Sequence, residues 1–443
     1  MNGLSTFLYE WKHFVRNPFK IVAVLLFAIA GIYGLHNGSS LYKEQMAEIE
    51  KIQGKIAEEK QKYTTQYEEG EMVPEGRPWV DMSNPFWAIW CTPGYDVKTP
   101  SPAMVYSIGQ AEQYGFYKQI TFWASPYDAD MAEEIANPER LQTGTLDFAF
   151  VLLFLLPLLL LILLYNLKSA EAEQGFLSLI EVQTASNNQW LLSRMAFYLT
   201  SSAFLTLGLL VYGAMLTGVF HSASNAFGQM VLYTLLYLLF WSVIYFFIAK
   251  NGTSILGNTL QMVGAWLLFA FVIPASVHQV VSIVKPANLM TDYIEVRDKQ
   301  QEIYAQADSI SQAQLNALFP KIVDGSVFQD STKNGMARSY STSALVNELK
   351  KESIQPIEEE SQTKNQLIRQ TFWFNPVSFF QNQLNVIAQT HYADYQAFRH
   401  GIQSSIDDRI EVLVLDLWND VKVDKKKYLE YNDMFSKEQA MNN

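Results

Sequence analysis

Between Leu146 and Leu167 the only clearly polar side chains are Asp147 and Asn166, one near each end. About 20 apolar residues suffice for a helix to cross a bilayer, and a helix satisfies its own backbone hydrogen bonds there, so this run reads as a membrane span. It passes directly into an acidic, amphipathic loop that begins at Lys168. That junction constrains the chain more than any other part of its 443 residues.

Average composition conceals the span. The chain is 49% hydrophobic with a mean hydropathy of +0.01, values typical of a soluble protein. Two opposite populations produce that average. Apolar runs at 19–36, 146–167, 195–220, 230–249 and 255–284 predict five membrane-spanning helices, while 37–145 and 285–443 read as water-soluble, helix-rich and acidic. The expected fold is mainly α: a polytopic helical membrane protein with a large helix-rich extracytoplasmic domain. Cations in short loops favour the cytoplasm. Lys12, Arg16 and Lys20 precede the first span, Lys168 and Arg194 bracket the 168–194 loop, and Lys250 follows the fourth span, whereas 217–229 has no Lys or Arg. The N-terminus is therefore expected in the cytoplasm and both soluble blocks outside it. Residues 1–18, with Phe7, Leu8, Trp11, Phe14 and Val15 set against Glu10, Lys12, His13 and Arg16, suit an amphipathic helix lying in the membrane interface.

The first soluble block opens with an apolar seam, Tyr42, Met46, Ile49, Ile52, Ile56 and Tyr63, at three- and four-residue steps. This predicts a helix that continues outward from the first span, its seam packed on the domain itself or on a second subunit. Trp79, Trp87 and Trp90 in the Pro- and Gly-rich stretch 74–102 suit either an aromatic core or a ligand surface. The lone Cys91 rules out an internal disulfide. In the second block, Tyr293 to Leu318 and Leu345 to Arg369 carry helical patterns, a polar loop is expected near 325–343, and Pro376 breaks the second pattern.

A search for chemistry returns little. The formal net charge of −12 and the lack of a basic, aromatic-laced stripe argue against nucleic acid. No G-x-x-x-x-G-K-[ST] loop, G-x-S-x-G, H-E-x-x-H or paired C-x-x-C occurs, so no enzyme active site, cofactor site or metal site is expected in this chain. His391 and His400 are too far apart in sequence to share a helical turn, and a solvated helix face accounts for them. Ionisable groups are costly inside a bilayer and mark ion paths, yet the span interiors hold almost none. Energy for any transport would then enter elsewhere. The loop supplies a place: Glu171, Glu173, Phe176, Leu177 and Ile180 predict a short amphipathic helix, with Gly175 permitting close approach, that either meets a partner or rests on the membrane.

The order of these features resembles an ABC-2 type permease of the branch with large extracytoplasmic insertions. The residues that carry the likeness are Glu10, Trp11, Lys12 and Arg16 in E-W-K-x-x-x-R, then Asp147, Ala149, Phe150 and Pro157, then Glu171, Glu173, Gly175 and Leu177 in E-x-E-x-G-x-L. Further matches are Ser107-Ile108-Gly109-Gln110, Asn137-Pro138, Gly144, Trp266, Pro274, Asn375-Pro376, Ala388 and Thr390. The resemblance implies a bacterial inner-membrane permease subunit, an exporter, in which two permease subunits pair in the lipid bilayer and each engages a separate ATPase subunit that holds ATP and Mg. It implies Glu171, Glu173, Gly175, Phe176, Leu177 and Ile180 as the ATPase-coupling segment and Glu10, Trp11 and Arg16 as the interfacial helix. The outer blocks would meet cargo or an envelope partner. Transmission of force to such a partner without passage of cargo, and a membrane-anchored scaffold or receptor with no motor, stand beside the exporter reading. Two departures are Phe176, where the family often has Thr, and Ala172, where a basic residue is common. Members generally have six spans; five are visible here, and the expectation is a chain that stops before its last helix.

Overall fold

The computed structural model describes residues 3–74, 76–122, 126, 146–183, 186–285, 302, 312–320 and 331–441. Five helices among them are long and apolar enough to cross a membrane: α2 (Pro18–Glu69), α4 (Phe148–Glu173), α6 (Asn187–Thr217), α8 (Ser224–Asn251) and α9 (Ile255–Val284). A shorter α1 (Gly3–Val15) precedes them, α3 (Pro85–Trp90) follows α2, α5 (Leu177–Gln183) follows α4, and α7 (Val219–Ser222) links α6 to α8. The chain is a multi-pass helical membrane protein.

One helix spans the boundary between the two populations. Asn17 caps α2 by accepting from the Lys20 amide, Pro18 supplies a preset first turn, and no further proline intervenes before Gly70 adopts the left-handed conformation and ends it. At 1.5 Å per residue its 52 residues reach about 78 Å. The expected seam is taken up in part within this chain: Ile49 and Ile52 are buried, Tyr42 and Tyr63 pack on neighbouring clusters, Ile56 is half-buried and Met46 is exposed.

Proline shapes α4. Pro157 has no N–H to offer the carbonyl four residues earlier, Leu153, which sits in a π-turn over Val151–Leu155. The bundle fills that vacancy, since the Tyr237 hydroxyl donates to the Leu153 carbonyl at 2.6 Å, the Trp266 indole to Phe154 at 3.1 Å and the Tyr245 hydroxyl to Pro157 at 3.1 Å. No polar backbone group freed by the bend is left facing hydrocarbon at these three positions. A second π-turn, Leu268–Val272, precedes Pro274 in α9.

The remaining elements form a helical head. It comprises the distal part of α2, α3, a two-stranded antiparallel ribbon of β1 (Tyr95–Val97) and β2 (Tyr117–Gln119), α10 (Gln312–Leu318), α11 (Ser331–Gln370), α13 (Tyr392–Trp418) and α14 (Lys425–Met441). Its core is aromatic: Phe86 stacks on Tyr340 at 4.0 Å, Tyr67 on Tyr428 at 4.8 Å, and the buried Trp418 indole donates to Ser341. Trp87 and Trp90 pack on this core, whereas Trp79 is exposed. Burial pushes the Cys91 thiol up to about 11.

Three expectations need correction. The polar loop placed near 325–343 is helical from Ser331, because Ala337 and Ser341 are buried against the head; the Ser341, Thr342 and Ser343 hydroxyls are accommodated by bonding back to carbonyls of the preceding turn. Residues 321–330 and most of 286–311 lie outside the described residues. The second soluble block also contains α12 (Pro376–Ala388), whose Val377, Phe380, Leu384 and Ile387 join the core of the spans, packing on α8 beside both π-turns. Finally, the loop after the second span is two helices rather than one. Ser169–Glu173 ends at Gly175 with φ +80°, where Phe176 N–H donates to Glu171 and Gly175 N–H to Ala172, and α5 starts afresh.

Candidate functional site

The two ends of the bundle are fastened differently. On the side that carries α1, a buried cluster of opposite charges joins four helices. Glu10 comes from α1, Lys20 from the first turn of α2, Glu171 from the end of α4, and Arg194 from the second turn of α6. Glu10, Lys20 and Arg194 are all buried, with Glu10 at 0% exposure.

Arg194 is the hub. Its Nε donates to Glu10 Oε1, and its Nη1 donates to the Leu167 carbonyl at 2.8 Å and to Glu171 Oε1 at 3.1 Å. Only a guanidinium has donors arranged to serve both carboxylates and a helix-end carbonyl at once. The planar group also lies 5.1 Å from the Trp190 ring. The second Glu10 oxygen accepts from the Tyr198 hydroxyl at 3.0 Å. That hydroxyl in turn accepts from Lys20 Nζ at 3.3 Å, and Lys20 reaches the Leu163 carbonyl at 2.8 Å. Two acids and two bases thus balance, and the carbonyls at the end of the apolar part of α4 gain cationic donors. Removal of any one member would leave a buried charge without its partner.

Nearby contacts stitch the same loop to the last two spans. Glu173 Oε1 accepts from the Ile255 amide at 2.7 Å, capping α9, and Lys168 Nζ donates to the Lys250 carbonyl. Of the residues that the sequence singled out, Glu10 and Glu171 therefore meet on Arg194, while Glu173 acts one helix away. Gly175 supplies the left-handed turn, and a Cβ there would meet nothing within 4 Å. Leu177 and Ile180 are half-buried; Phe176, Leu179 and Val182, three residues apart, are exposed at 52%, 56% and 87%. Trp11 is exposed at 53%, and Arg16 lines an open hollow with Lys12 and His13.

Sequence reasoning used Lys20 and Arg194 only to orient the chain, and it passed over Tyr198, Leu179 and Val182. A partial signal for the first two was present. A cation one or two turns inside an apolar helix needs a buried partner, and Glu10 and Glu171 are among the few acids that flank these helices.

At the opposite end of the bundle a neck joins spans to head through neutral groups and one carboxylate. Asp147 accepts from the Phe150 amide at 2.7 Å and the Ile108 amide at 3.0 Å, capping α4 and anchoring the 107–110 turn. Thr390 Oγ1 donates to the Ser107 carbonyl at 3.1 Å, while the Thr390 carbonyl accepts from Gln110. Gly109, at φ +53°, lies so close to Thr390 that a Cβ would fall 2.5 Å from its Oγ1. Tyr106 donates to the Leu210 carbonyl and Thr217 to that of Pro102, fastening the turn to α6. Ser107, Ile108, Gly109, Gln110, Asp147 and Thr390, quoted above from three separate segments, converge here.

The two histidines that the sequence singled out make local contacts. His391 caps α13 by accepting from the Ala393 amide, and His400 faces Glu358 on an exposed surface. Among the described residues no three His, Cys, Asp or Glu side chains gather as metal ligands. No family model, curated protein or solved structure matches the chain, so any functional reading rests on the residues just described.

Proposed function

We propose that the chain is the permease subunit of an ATP-driven ABC exporter, and that α5 and α1 receive the motion of a separate ATPase subunit in the cytosol. The observation that carries this reading is the Glu10–Arg194–Glu171 cluster, which the turn at Gly175 connects to an exposed apolar stripe. Phe176, Leu179 and Val182 offer a small hydrophobic contact to a partner, and the buried charges that precede them in the chain make α1, α4 and α6 respond together. ATP and Mg belong to the partner; a second permease subunit completes the assembly.

The contact residues differ from those the resemblance implies. Glu171 and Glu173 are engaged within the chain, so reversing their charge would confound docking with folding. Leu179→Glu together with Val182→Glu is the cleaner variant. Purified in mild detergent from its native membranes, the wild type is expected to carry ATP hydrolysis in one complex, and the double variant to lose at least nine-tenths of it while the chain stays folded. Full retention by the variant, or a wild type that carries no ATPase, would sink the proposal in favour of a motorless scaffold.

A second reading has its own observation. The unbroken α2 favours mechanical transmission to an envelope partner, because a continuous helix carries displacement from the spans into the head without an intervening loop. Two glycines inserted after Gly54, which has open space around it, should abolish ATP-dependent hydrogen exchange changes in the head while leaving ATPase association intact. Unchanged exchange would leave the exporter reading alone.

A further inference from the structure

A cavity of about 130 Å³ lies between α1, α2, α4 and α6; Tyr198 of the charged cluster borders its near end, and it extends along α6 to Leu205. At 1.5 Å per residue Ser202 is about 12 Å along α6 from Arg194, within the apolar length of the spans. Trp11 and Phe14 close it on the α1 side, and Val24, Leu159, Phe197 and Leu205 form most of its wall.

Water is a poor occupant. A buried water needs two to four polar partners. Ser201 donates to the Phe197 carbonyl and Tyr198 to Glu10, which leaves the buried Ser202 hydroxyl as the lining group with no partner among the described residues. Apolar cavities of about 150 Å³ stay dry and take benzene-sized guests. Left empty, such a space forfeits the dispersion contacts that close-packed interiors make. The solvent at this depth is lipid hydrocarbon.

We propose that this cavity binds a benzene-sized portion of one acyl chain of a membrane lipid from the leaflet on the α1 side, wedged beside Tyr198 and under α1. The chain completes the packing of Phe197 and Trp11, and so makes the seat of α1 depend on lipid. The site is held by shape and apolar contact, and the Ser202 hydroxyl is incidental to it.

The test uses the full chain in nanodiscs with a phosphatidylcholine that carries a diazirine midway along one acyl chain, and reads photolabel by residue. Leu239 and Phe247, exposed at 57% and 56% on α8, report ordinary lipid contact. Label on Leu159, Ser202 and Leu205 is expected at three or more times that level. Val24→Trp and Ser202→Phe, filling the space from opposite walls, should each reduce it to the α8 level while leaving Leu239 and Phe247 unchanged, and Ser202→Ala should leave it intact. Cavity label no higher than the α8 level in the wild type overturns the proposal. So does label that both filling variants preserve, or label that Ser202→Ala abolishes. Should the filling variants misfold, the wild-type pattern and Ser202→Ala decide.

Discussion

The joint at the α1 side and the neck at the far side are both polar, and both tie segments distant in sequence, but they use opposite chemistry. The first gathers four charges into a buried, balanced set. The second relies on backbone amides and carbonyls, a threonine hydroxyl and a single carboxylate. Buried ion pairs gain little over apolar packing when intact, yet cost heavily when one partner is lost. Neutral hydrogen bonds are each worth about 1 kcal/mol and fail one at a time. The charged joint is therefore the place where a single alteration reorganises several helices, and the neck is the place where damage stays local.

That contrast is open to direct attack. Arg194→Ala should produce the largest loss, about 3–5 kcal/mol, measured by denaturation of the solubilised protein, because Glu10 is left buried without its ion-pair partner and keeps only the Tyr198 hydrogen bond. Arg194→Met combined with Glu10→Met should recover most of that loss; a double variant no better than the single one would mean that packing, not charge, holds the joint. At the neck, Gly109→Ala should cost about 1–3 kcal/mol, since a side chain there meets both the positive φ and Thr390. A cost equal to that of Arg194→Ala would erase the distinction between the joints.

The head provides two smaller measures. Burial raises the Asp96 carboxyl above its ordinary value, with Ser405 and Arg409 opposing the rise. The folded state thus holds this proton more tightly, so the contribution to stability is full below the unfolded value of about 3.9 and is lost as pH rises through the folded one. Asp96→Asn is expected to be at least as stable as wild type at pH 7, with the advantage fading toward pH 4 in thermal melts; a variant that loses ground as pH rises would refute the assignment. Smallest of all, Lys425→Ala removes a 2.7 Å pair with Glu68 in which both side chains are about half exposed, and should change stability by about 0–1 kcal/mol.

The spans were legible in the sequence because hydropathy and length are local properties, and Leu146 to Leu167 declares itself without any neighbour. The α1-side joint was half legible. Glu10 and Glu171 were named, but the guanidinium that unites them was counted as an orienting charge. The neck was less legible still, since the Thr390 bond to Ser107 crosses 283 residues and no periodicity encodes it. At 13 residues α12 is too short to cross a bilayer and so read as part of the soluble block, although its apolar face completes the bundle. Ser341 and its neighbours looked like a loop because hydroxyl-rich segments favour turns when their helix is not packed, and Trp418 and Phe86 supply the packing.

Pro157 and Tyr237 belong to different helices, yet the tyrosine hydroxyl serves the carbonyl that the proline orphans. Their fates in evolution are consequently linked. A lineage that lost the hydroxyl first would expose an unsatisfied carbonyl to hydrocarbon, whereas one that replaced the proline first would set the tyrosine free to change. Descendants of this chain should therefore include bends without their tyrosine far less often than tyrosines without their bend, an asymmetry that a set of related sequences would display as directional covariation between the two positions.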